Sequence, residues 1–161
     1  MSSGLSAIRL RRLHDVMAGH VEHGEVPGLV TCVCRRGEVH VDAIGTTAAG
    51  GRTPMKRDTL FRITSMTKPV TATAAMILVE ECTLRLDETR GWGFSVAVVT
   101  HRDDLSATPG RYFWDGGYGT SWASDPKEDL IGLLMTQRMG FPTLSKPYRD
   151  FWTGAYQAID D

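Results

Sequence analysis

The stretch Phe61-Arg62-Ile63-Thr64-Ser65-Met66-Thr67-Lys68-Pro69-Val70, continuing as TATAAMILVEE, decides the reading of this chain. Four extended-type residues, Leu60 to Ile63, lead into a serine, a lysine three positions on, and a run rich in Ala, Met and Leu. The pattern predicts a strand or loop ending at Thr64 and a helix from about Ser65 to Cys82. Residues three apart share a helix face, which brings the Lys68 amine within reach of the Ser65 hydroxyl. Pro69 falls in or just after the first turn, where a missing N–H costs little. A hydroxyl at the positive end of a helix, with an amine one turn away to take its proton, suits a nucleophile. A second copy of the spacing, Ser124-Asp125-Pro126-Lys127, sits in a Ser-Asp-Pro turn and reads as structural.

The helix is informative in another way. Val70, Ala72, Ala74, Ala75, Met76, Ile77, Leu78 and Val79 are apolar around nearly its whole circumference, so it is built for burial on all sides. Upstream, Gly28–Arg35 and Glu38–Ile44 read as strands joined by Arg36-Gly37, a tight hairpin signal. Residues 5–22 carry a helical stripe of Leu10, Leu13, Val16, Met17 and Val21, ended by Gly24 and Pro27. His20 and His23, three apart, lack a third ligand and read as surface residues; no metal or cofactor is expected.

Downstream, strands are expected at Gly91–Val99, within Tyr112–Ala123 and at Asp129–Thr136. Lys146–Ile159 places Tyr148, Phe151, Trp152 and Tyr156 at helical spacing, more as core contacts than as a binding box. Gly93-Phe94-Ser95-Val96-Ala97 approaches a nucleophile elbow but lacks the final glycine and a following helix. The expected fold is α+β: one domain over residues 1–161, with an antiparallel sheet of about five strands. The terminal helices lie on one face and the Ser65 helix on the other.

Composition narrows the function. A hydrophobic share of 42% and a charged share of 23% are those of an ordinary globular protein. A net charge of −1 argues against nucleic acid or an anionic membrane as partner. No apolar run is long enough to span a bilayer, and residues 1–25 show no leader pattern. Cys32 and Cys34, two apart on a strand, match no zinc or redox spacing, which favours reduced thiols and a cytoplasmic location.

Two long blocks resemble the serine β-lactamase-like hydrolases of class C type, including penicillin-binding-protein-related esterases. They are residues 26–45 with 59–88, and residues 91–99 with 109–138. The resemblance puts Ser65 in the nucleophile position with Lys68 as its basic partner. Trp114-Asp115-Gly116 falls where the family carries Lys-Thr-Gly, or Trp-Gly-Gly in its esterase-like branch, as a substrate-binding strand. It implies acyl transfer on small esters or amides, with an oxyanion hole made by the backbone N–H groups of Ser65 and Gly117.

One departure is large. The family follows the helix with a helical domain bearing a Tyr-x-Asn or Ser-x-Asn element, whereas here Leu86-Asp87-Glu88 runs through Thr89-Arg90 directly into Gly91-Trp92-Gly93. The chain contains no asparagine, and an internal deletion near 88–91 is the reading. A lysine serves as a base only when burial or a neighbouring cation lowers its pKa, so reduced activity is expected. A remnant that only binds or assembles is the alternative. With its second covering gone, the helix should leave Val70, Thr73, Ala74, Ile77 and Leu78 in water, and a homo-oligomer that buries this face is expected.

Overall fold

The computed structural model describes residues 4–81, 96–100, 108–139 and 146–160. Helix α1 (Ala7–Glu22) precedes strands β1 (Gly28–Arg35) and β2 (Glu38–Gly45). A single 3-10 turn, Thr64–Met66, then opens into helix α2 (Thr67–Glu80). Strands β3 (Ala97–Val98), β4 (Tyr112–Gly116), β5 (Thr120–Asp125) and β6 (Leu130–Thr136) follow, and helix α3 (Lys146–Gln157) comes last. All six strands join one antiparallel sheet in the order β2-β1-β6-β5-β4-β3.

The Arg36-Gly37 hairpin closes with both residues in the left-handed region, at φ 47° and 78°. This is the geometry of a two-residue turn that matches strand twist. Among the described residues the sheet has six strands, where about five were expected. The stretch Tyr112–Ala123 is two strands, not one, because Gly119 at φ 72° reverses the chain between β4 and β5. The Gly91–Ser95 part of the expected third strand and the junction at 88–91 lie outside the described residues.

Alternation assigns the two faces. Leu29 and Val33 of β1, with Leu130 and Leu134 of β6, meet Leu13 and Met17 of α1 and Phe151 and Trp152 of α3 in one buried core. Gly132 makes room for Trp152, since a β-carbon there would stand 2.7 Å from the indole. The Trp152 indole N–H donates to Ser121 Oγ at 3.1 Å. Burial of a pair such as Phe151 and Trp152 typically stabilises by about 3–5 kcal/mol each when judged by truncation.

α1 is turned slightly from its expected stripe. Val16 is 46% exposed, while His20 points inward at 3%. The His20 ring meets Glu25 and Asp150 carboxylates at 2.9 Å each, tying α1 to α3 instead of standing on the surface. Under the β4–β5 end, Arg111 lies between the rings of Phe113, Trp152 and Tyr156, with its guanidinium carbon 4.3 Å from the Trp152 centroid.

Burial, with the Asp115 carboxylate nearby, pushes the Tyr148 phenol up to about 12. An acid whose pKa is raised by folding adds stability that is whole below its unfolded pKa, near 10, and is lost as pH rises through the folded value. Tyr148→Phe is therefore expected to flatten the alkaline fall in the urea midpoint over that window. An alkaline limb identical in the variant would assign the loss to another group.

The opposite face of the sheet differs. Val39 and Ile131 are 52% and 40% exposed, and Cys32, Cys34, Leu133 and Trp122 are only half-buried. Here the 3-10 turn packs against β4 and β5.

Candidate active site

The site is built where the end of β4 meets the 3-10 turn. Gly116 makes this approach possible: a β-carbon there would run into Ile63 O and Thr120 Oγ1 and stand 2.8 Å from Thr64 Oγ1. The Thr120 hydroxyl donates to Ile63 O at 3.4 Å, Met66 N–H donates to the same oxygen at 3.0 Å, and buried Met66 anchors the turn. The segment carrying Ser65 is thus fixed to the sheet from both sides.

Within it, Lys68 Nζ donates to Ser65 Oγ at 2.9 Å. The pairing is the one expected for a serine and lysine three apart. Pro69 sits in the first turn of α2, and Thr71 and Thr73 donate back to the carbonyls of Thr67 and Pro69. Lys68 Nζ also lies 5.7 Å from the centroid of the Trp114 ring, whose face attracts a cation. Trp114 therefore stands beside the serine–lysine pair.

Asp115 does not join them. One residue along a strand turns the side chain to the other face. There it meets Ser121 and Arg111, and burial raises its carboxyl above the usual range while those two partners pull it back. Gly116 lies in the site, but the space its missing side chain leaves is filled by Ile63, Thr64 and Thr120. Gly117 follows in the turn, exposed, with nothing within 4 Å of where a β-carbon would stand. Ser124-Asp125-Pro126-Lys127 is a structural turn: Asp125 Oδ1 accepts the backbone N–H groups of Lys127 and Glu128 at 3.1 and 3.3 Å, and its other oxygen accepts the Tyr156 hydroxyl.

Two features escaped the sequence reading. Thr64, immediately before the serine, has φ 45°. A β-branched residue there is strained, typically by about 1–3 kcal/mol, and such strain gathers at functional positions. Nothing in a threonine announces it. The second is Trp122, which lies opposite Trp114 across the hairpin and meets Tyr112 edge-on at 5.6 Å. Its signal was present in the glycines of Gly116-Gly117-Tyr118-Gly119, which let the chain reverse there.

The α2 face formed by Val70, Thr73, Ala74, Ile77 and Leu78 is exposed, with Val70 at 64%. No grouping of His, Cys, Asp and Glu suited to a metal occurs among the described residues. Among them, too, no helix is long and apolar enough to cross a membrane.

Residues 13–89 match the family model described as Beta-lactamase. The chain is 46% identical to Protein Rv1367c of Mycobacterium tuberculosis over 85 residues, which are 52% of this chain and 21% of that protein. It is 38% identical to Esterase EstB of Burkholderia gladioli over 77 residues, 47% of this chain and 20% of the esterase. Among solved structures, EstCE1, described as a hydrolase with promiscuous acyltransferase activity, is 33% identical, with 50% of this chain and 22% of that chain covered and a TM-score of 0.47. The matched stretch spans about a fifth of the length of these relatives.

Proposed function

We propose that the chain, whose residues 13–89 match the Beta-lactamase family model, is a serine hydrolase that acts on small uncharged esters or amides through an acyl-enzyme. The observation that carries this reading is the 2.9 Å hydrogen bond between Lys68 Nζ and Ser65 Oγ at a strained turn fixed to the sheet. Ser65 Oγ gives its proton to the Lys68 amine and attacks the carbonyl carbon. The backbone N–H groups of Ser65 and Gly117 hold the oxyanion, an arrangement worth a few kcal/mol of barrier. The C–O or C–N bond then breaks, and the leaving group takes the proton from Lys68. Water, deprotonated by the same amine, frees the acid and restores Ser65.

Trp114 supports the choice of substrate. It stands where a lysine would hold a substrate carboxylate, so the strand offers an aromatic surface instead of a charge. The free thiols of Cys32 and Cys34 support a reducing, cytoplasmic setting.

A second reading, a remnant that binds or assembles without turnover, is favoured by one observation. Lys68 is exposed, and its nitrogen is 5.7 Å from the Trp114 ring centroid, without the covering that a buried serine–lysine pair would have. Labelling separates the two. A fluorophosphonate probe is expected to add its mass to Ser65 in the wild type and to leave Ser65→Ala unmodified. No adduct at millimolar probe would leave the remnant standing.

A further inference from the structure

Thr64 lowers the stability of the fold in two ways at once. Its φ of 45° lies in the left-handed region, where a β-branched residue is strained. Its Oγ1 is buried and meets no hydrogen-bond partner among the described residues. A hydroxyl withdrawn from water without a partner loses its hydration for nothing in return. The residue stands outside the buried core, so packing there does not account for either cost. What its side chain touches is specific. A β-carbon at Gly116 would stand 2.8 Å from Thr64 Oγ1, so the threonine hydroxyl occupies the room that this glycine leaves on β4. The carbonyl of Ile63, just before it, is held by Met66 N–H at 3.0 Å and by the Thr120 hydroxyl of β5 at 3.4 Å. Ser65 is the next residue in the chain. Its hydroxyl is met by Lys68 Nζ at 2.9 Å, from a flexible stem that does not by itself fix the turn.

We propose that Thr64 is a positioning residue for Ser65: its side chain, wedged against Gly116, holds the turn in the left-handed conformation that aims the serine hydroxyl. The inference rests on the reading of Ser65 as the nucleophile and adds the residue that directs it. A glycine at 64 would adopt φ 45° without strain, but it would adopt right-handed values as readily. With the wedge gone, nothing at that residue chooses between them. Threonine left to its own preference would avoid the left-handed region, so the contact with Gly116 is what keeps it there. Stability is given up at one residue, and a fixed direction for the next is what it secures. The direction matters because a misplacement of about 1 Å at a reacting atom can slow a reaction by about 10²-fold.

Urea unfolding and the rate of fluorophosphonate addition to Ser65, measured on the wild type, Thr64→Gly and Thr64→Ser, test this. Thr64→Gly removes both the strain and the unpartnered hydroxyl, and its urea midpoint is expected to be no lower than that of the wild type. Its labelling should nonetheless slow by about 10–100-fold. Thr64→Ser keeps a hydroxyl against Gly116 and should label close to the wild-type rate. With a small activated ester, kcat should fall in Thr64→Gly while KM is held, the mark of an interaction that matters in the transition state. A glycine variant that loses stability and labelling together would make Thr64 a support of the fold and overturn the proposal. So would a serine variant as slow as the glycine one, or a change confined to KM. The two readings fail differently. A wild type that takes no adduct removes the nucleophile and this proposal with it, whereas equal labelling of wild type and Thr64→Gly removes the proposal alone.

Discussion

Ser65→Ala is expected to bring hydrolysis of a small activated ester down to the rate of the solution without enzyme, and Lys68→Ala to lower kcat/KM by about 10²–10⁴-fold, the usual contribution of a positioned base. The two should not add. If Lys68 acts only by taking the proton of Ser65 Oγ, to which it is bonded at 2.9 Å, the double variant loses no more than Ser65→Ala alone. Stability should hardly change in either single variant. Lys68 is exposed, and the turn is held by Met66, Thr120 and Gly116 rather than by the serine hydroxyl. A wild-type rate that survives both substitutions would mean that any ester cleavage comes from elsewhere on the surface.

The parts legible in the sequence are those fixed by local rules. Arg36-Gly37 specified a two-residue hairpin because its flanking strands alternate and its turn needs φ > 0, and the strands end within a residue of their expected limits. The aromatic residues of α3 read as core, and Phe151 and Trp152 are its most buried large side chains. The contact between Ser65 and Lys68 follows from their spacing of three, which the 3-10 turn brings onto one face as a helix would.

What was hidden depends on partners distant in sequence. His20 turns inward because Asp150, 130 residues away, waits on α3. The left-handed Thr64 is imposed by packing of the turn on β4, which no local propensity encodes. The split of Tyr112–Ala123 into two strands was signalled by Gly119, but three glycines in four positions fit a bulge as well as a turn. That single misreading also concealed the pairing of Trp114 with Trp122.

The same turn yields the second large effect, because its two adjacent glycines do different things. At Gly116 a β-carbon meets Ile63 O, a backbone atom, together with Thr120 Oγ1 and Thr64 Oγ1. A backbone obstacle cannot rotate away, so Gly116→Ala has to push the 3-10 turn off β4. The cost belongs at the upper end of the overpacking range, about 3 kcal/mol, and Ser65 moves with the turn. At Gly117 the same added methyl group enters open space, and the residue needs no left-handed backbone. Gly117→Ala should therefore stay within about 0.5 kcal/mol of wild type, as exposed substitutions do, and it keeps the N–H assigned to the oxyanion. Urea unfolding and fluorophosphonate labelling, run side by side, distinguish the pair. Gly116→Ala is expected to lose stability and labelling together, while Gly117→Ala retains both. Should Gly116→Ala instead fold and label like the wild type, the close seating of the turn on β4 would not be what positions Ser65.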